Sequence, residues 1–182
     1  MSMVMFTVLY PEIGAAETRC IIVQTGGRWR RREEEEEEEE FALFELYCAE
    51  PGCDCRRVLF NVVSKRLNRH VATISHGFEA PGEKSAVPEQ TFLDPLHRQS
   101  EFSEDLLAIF TRRVLMDPEY CRRLERHYAM FKEVVNNRQH PLHGKIRPYF
   151  DELEQEHRMG ISEITSWRVR RRMMENRRKR GR

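Results

Sequence analysis

The sequence predicts an α+β protein: an antiparallel β-meander followed by an α-helical hairpin and a basic C-terminal tail. Three observations carry this. Between residues 41 and 78 apolar residues alternate along three short segments separated by turn signals. From Ser103 onward the apolar spacing changes to that of a helix. Residues 168–182 hold nine Lys/Arg against one Glu.

The elements follow in order. Met1 to Tyr10 is apolar and reads as a first strand closed by Pro11. It has neither a basic n-region nor a small-residue cleavage site, so no export signal is expected. Residues 18–24 are rich in β-branched side chains and read as a second strand ended by Gly26-Gly27. Residues 28–40 are low in complexity, with four arginines around Trp29 and then the run Glu33 to Glu40. Like charges at that density repel, which predicts a solvated loop between strands. Phe41 to Cys48 is apolar on both faces, as a central strand is. Residues 49–55 form a turn around Pro51-Gly52, Arg56 to Ser64 the next strand, and His70 to Phe78 the third. Ala80 to Gln90 is a Pro- and Gly-containing linker.

Ser103 is placed to cap a helix over 103–115 whose first turn carries Glu104 and Asp105. Asp117-Pro118 is an N-cap followed by an N1 proline, opening a second helix over 118–136. Its stripe of Tyr120, Leu124, Tyr128, Phe131 and Val135 needs an apolar partner, and the sheet face is available. Pro141 to Pro148 reads as irregular and Tyr149 to Arg158 as a short helix. The expected organisation is an α+β domain over 1–138 with a low-complexity loop at 28–40, then a helical extension and basic tail over 139–182.

Composition bounds the function. The 182 residues fit one domain with appendages, and 40% hydrophobic residues suffice for a core. No apolar run approaches the roughly 18 residues of a membrane span, so no membrane partner is expected. Cys20, Cys48, Cys53, Cys55 and Cys121 are an odd set, and three of them fall within eight residues. Without an export signal this predicts a cytoplasmic protein whose clustered thiols are metal or redox groups rather than disulfides.

Cys48, Cys53 and Cys55 stand at one end of one predicted hairpin. Three thiolates and one more donor satisfy tetrahedral zinc. His76, expected opposite Val58 at the same end, is the candidate fourth ligand; Cys20 on a flanking strand is another. The bland reading is three small, half-buried thiols. A thioredoxin-type pair is disfavoured, because Cys53 and Cys55 are one residue apart and that motif needs two between them.

Tyr47-Cys48-x4-Cys53-Asp54-Cys55-Arg56-Arg57-Val58, with Ala72-Thr73-Ile74 and Arg123-Leu124-x-Arg126-His127-Tyr128-x-Met130-Phe131-Lys132 downstream, resembles a family of uncharacterised bacterial proteins. The resemblance covers about residues 6–135 and implies that the cysteine turn is the family's mark. It implies no activity.

His127 borders the helical stripe and reads as a core-rim residue; His140 and His143 flank Pro141-Leu142 without a defined third ligand. No Ser/His/Asp order, phosphate loop or HExxH motif is present, and no catalytic residue is assigned. In the tail, Arg168, Arg170, Arg171, Arg172, Arg177, Arg178, Lys179, Arg180 and Arg182 form a cationic strip of net +8, while residues 1–167 carry net −7. Such a strip suits phosphate backbones and could equally fold back on Glu33–Glu40 or remain solvated. The leading expectation is therefore a non-enzymatic binding module stapled by zinc. A nucleic-acid-associated protein acting through its tail is the alternative, and an enzyme using the cysteine and histidine cluster is the second.

Overall fold

The computed structural model describes residues 2–25, 37–80 and 89–149. It is an α+β fold: one antiparallel sheet of consecutive strands, with helices packed on one face. The strands are β1 (Met3–Met5), β2 (Arg19–Thr25), β3 (Glu37–Cys48), β4 (Arg57–Ser64), β5 (Arg69–Gly77) and β6 (Thr91–Leu93). Their order is β1-β3-β4-β5-β6, and β2 also pairs with β3. The helices are α1 (Phe6–Leu9), α2 (Pro11–Glu17), α3 (Ser103–Ile109), which continues as a π-helical turn over Phe110–Val114, and α4 (Pro118–Asn136). Residues 143–149 are also helical.

The meander follows from alternation. Phe41, Leu43, Glu45 and Tyr47 point to the helix-covered face of β3 and are buried, as are Val58, Phe60 and Val62 of β4. Val58 pairs with His76 as the turn lengths predict, and the register slips between Val62 and Val63 so that Val63 faces His70. Tyr47 pairs with Val58, so Arg56 falls in the connection rather than opposite Cys48.

Several expectations are corrected. The first strand is only Met3–Met5; Phe6 and Leu9, three apart, are buried on one side of α1. Pro11 does not close a strand but opens α2 at its first turn, where its missing N–H has no helical partner to lose. Glu37–Glu40 are not loop but the start of β3, paired with Thr25–Ile22. The charges of Glu39 and Glu40 are answered locally, Glu39 by Arg66 and Glu40 by Lys65 at 2.7 Å; Glu39 also accepts from Ser64, and Glu38 accepts from the Gln24 amide at 2.7 Å. Residues 28–36 lie outside the described residues.

Ser103 sits inside α3 rather than capping it; Phe102 is the cap residue, and Ser103 Oγ donates to the Ser100 carbonyl at 2.8 Å. Asp117 does cap α4, accepting from the Glu119 and Tyr120 N–H groups at 3.1 and 3.2 Å. Tyr120, Leu124, Phe131 and Val135 are buried in the core, with Tyr128 packed at its edge. Residues 143–149, read as irregular from Pro141 to Pro148, form a helical turn because buried Ile146 docks into the core. His143 Nδ1 ties this turn to the Val134 carbonyl at 2.8 Å.

A polar junction fixes α4 on the sheet. Glu45 is 8% exposed and His127 1%. Glu45 Oε2 lies 2.7 Å from His127 Nδ1 and 2.8 Å from the Tyr47 hydroxyl. His127 Nε2 faces Glu17 Oε2 at 3.1 Å, and the imidazole stacks on Phe6 with centroids 4.1 Å apart. The core-rim histidine of the sequence is thus a fully buried link between α2, β3 and α4.

Candidate metal centre

The connection from β3 to β4 is shaped by one turn. Gly52 has φ 72°, and Cys53 N–H bonds to the Glu50 carbonyl at 3.3 Å. Pro51 followed by a glycine at positive φ is the arrangement of a type II turn. Gly52 N–H donates to Asn136 Oδ1 at 3.0 Å, docking the turn on the end of α4. The turn folds Cys53 and Cys55 back over the end of β3, where Cys48 is fully buried.

The three sulfurs converge. The Sγ atoms of Cys48, Cys53 and Cys55 all lie within 4.8 Å of one another. Three thiolates around one zinc, each about 2.3 Å from it, are separated by no more than that, so the cluster is compatible with a metal ion. The environment favours negative charge on the Cys48 sulfur. A hydrogen bond from Cys55 is the chief reason the Cys48 thiol is pushed down to about 6, helped by the Glu50 backbone and the Lys132 ammonium against the opposing effect of burial. The same proton sharing pushes the Cys55 thiol up.

Lys132 is a residue the sequence did not single out. It is 6% exposed, and its Nζ has no hydrogen-bond partner among the described residues. A buried ammonium with no partner costs several kcal/mol unless opposite charge lies near. It lies close enough to Cys48 to help hold that thiol down, and the Tyr128 ring, with its centroid 6.0 Å from Nζ, is its other neighbour. Only its spacing from Tyr128 on α4, four residues on, could have marked it.

The other candidates fall elsewhere. His76 is not part of the three-sulfur group. It is buried, its Nδ1 bonds to Thr91 Oγ1 at 2.8 Å, and its ring meets Phe78 and Phe110 edge-on. Cys20 pairs with Ala42, six residues along β3 from Cys48, or roughly 20 Å at the rise of a strand. It cannot serve as the fourth ligand, because β1 rather than β2 flanks the Cys48 end of β3. His140 and His143 hold their own loop together, His140 Nδ1 accepting from Leu142 N–H at 3.1 Å. Arg168, Arg170, Arg171, Arg172, Arg177, Arg178, Lys179 and Arg180 lie outside the described residues. No helix among the described residues is long and apolar enough to cross a membrane. Comparison with protein-family models, with curated proteins and with solved structures finds no match.

Proposed function

We propose that the chain is a non-enzymatic interaction module whose cysteine hairpin holds a structural zinc ion through Cys48, Cys53 and Cys55. The single observation that carries this is the convergence of the three sulfurs beside a buried lysine. Zinc suits the donor set because soft thiolates favour it and it requires no redox chemistry. With Zn²⁺ and three thiolates the site would carry one negative charge, which Lys132 offsets. A closed structural site takes its fourth ligand from a side chain outside the three-cysteine group. The ion would pin the β3–β4 turn against α4, where Gly52 already meets Asn136.

Cys53→Ser tests the reading. Cys53 is half-buried in the turn, so the substitution removes a ligand without opening a core cavity. The variant should lose zinc and unfold at lower temperature, and chelator should lower the wild type to the same midpoint. Equal zinc content in variant and wild type would refute the assignment.

The tail supports a second reading, association with nucleic acid. Its net charge of +8 over residues 168–182 is the observation behind it.

A further inference from the structure

A second site stands at the other end of α4. Beside the junction of Glu17, Glu45 and His127 a cleft of about 720 Å³ opens between β2 and the first turns of α4. Its walls carry four arginines, Arg19, Arg122, Arg123 and Arg126, against three carboxylates. Glu17 is already engaged by Arg126 at 2.6 Å, by Arg123 at 3.7 Å and by His127. Arg122 pairs with no carboxylate among the described residues.

Three buried polar atoms in this wall make no hydrogen bond among the described residues, the Tyr120 hydroxyl, Arg19 Nε and Arg123 Nε, although Arg123 Nε stands 3.7 Å from Glu17 Oε2 and Arg19 Nη1 stands 3.6 Å from Asp117 Oδ2. Tyr120 is 2% exposed, and both guanidinium groups lie over its ring, 4.8 Å for Arg123 and 5.8 Å for Arg19. Each buried donor left unpaired costs free energy, and three side by side are rare in a folded core. The two guanidinium edges can only donate and the phenol can donate, so a partner rich in acceptor oxygens satisfies all three. Guanidinium groups match oxyanions in planar, two-pronged fashion, and a tetrahedral oxyanion can meet donors arriving from β2 and α4 at once.

We propose that the cleft formed by Arg19, Tyr120, Arg122 and Arg123 binds the phosphate group of a small phosphorylated molecule. The cleft volume matches a metabolite-sized ligand, not a polymer. Arg122, exposed and without an ion pair among the described residues, captures the anion first; Tyr120 and the two buried guanidinium edges hold it. This site is separate from the cysteine turn, so neither proposal depends on the other.

The test is calorimetric titration of the full chain with inorganic phosphate at constant ionic strength, in parallel with thermal unfolding. Tyr120→Phe keeps the ring and the net charge, so any contribution from the cationic tail is the same in both proteins. Wild type should bind phosphate at one saturable site and gain thermal stability from it. Tyr120→Phe and Arg123→Lys should each weaken binding by about tenfold or more, as loss of one bond to a charged group does. Without phosphate, Tyr120→Phe should unfold no earlier than wild type, because the hydroxyl it removes has no partner among the described residues. Succinate should bind more weakly than phosphate. No saturable binding, equal affinity in Tyr120→Phe, or succinate binding as tight as phosphate would each overturn the proposal.

Discussion

Replacing Glu45 by alanine is the most informative test of how α4 is held. Glu45 Oε2 receives His127 Nδ1 at 2.7 Å and the Tyr47 hydroxyl at 2.8 Å, and all three residues are buried. Hydrogen bonds to a charged group contribute about 1.5–3 kcal/mol each, and the truncation also leaves two donors in the interior. Tyr47 retains the Leu124 carbonyl at 3.2 Å, which recovers part of that loss. His127 retains Glu17 on its other nitrogen but has no second acceptor on the sheet side. The expected cost is about 3–5 kcal/mol, in the range for breaking a buried pair. For a chain of this size that is a fall of roughly 6–20 °C in Tm. Urea unfolding followed by circular dichroism measures it directly, and a double-mutant cycle with His127→Ala isolates the pair. A loss below about 1 kcal/mol with an unchanged denaturant slope would refute the junction as the clamp.

Other outcomes follow from the same geometry. His76 is held down to about 4 from 6.5 by burial and by Arg57, so below pH 6.5 the unfolded chain takes up a proton there that the folded chain does not. Stability should therefore fall as pH drops from about 6.5 to 4, by about 3 kcal/mol from this residue alone. His76→Gln should flatten that slope, and parallel pH curves for variant and wild type would contradict it. Gly52→Ala forces a side chain onto φ 72° and should cost about 1 kcal/mol in denaturant unfolding, with Gly52→Asn recovering part of it. If the tail carries nucleic-acid affinity, truncation after Ser166 abolishes binding, and the full chain's log–log salt slope is about −0.9 per phosphate neutralised. Equal binding by both forms would assign the affinity elsewhere.

The sequence was most legible where one periodicity ruled. α4 runs from Pro118 to Asn136 as the Asp117-Pro118 cap and the stripe from Tyr120 to Val135 indicate. The β4–β5 register at Val58 and His76 followed from turn length. Legibility failed where local pattern and tertiary partner disagreed. Glu37–Glu40 looked like loop because like charges repel, yet Lys65 and Arg66 on the neighbouring β4–β5 turn neutralise part of the run and let β3 extend. Met1 to Tyr10 looked like a strand because Val, Phe and Leu serve strands and helices alike; burial of Phe6 and Leu9 on one side decided it.

At the candidate sites the cysteines were readable and their surroundings were not. Three thiols in eight residues announce themselves, but Lys132 arrives from α4, far along the chain. Glu45 was a missed signal. An acid alternating with Phe41, Leu43 and Tyr47 on a buried face demands a partner, and His127 was in view. The arginine cleft gave no such hint, because Arg19 and Arg123 meet only in three dimensions.

The proposed metal centre is tested most directly by counting zinc and thiols on one sample. The chain holds five cysteines, of which Cys20 and Cys121 lie outside the cluster. The account predicts one zinc per chain by elemental analysis, two thiols that react with a disulfide reagent in the native protein, four after a chelator removes the ion, and the fully buried Cys48 as the fifth on unfolding. A wild-type protein that stays free of zinc after incubation with excess metal, and whose thiol reactivity does not change with chelator, would contradict it.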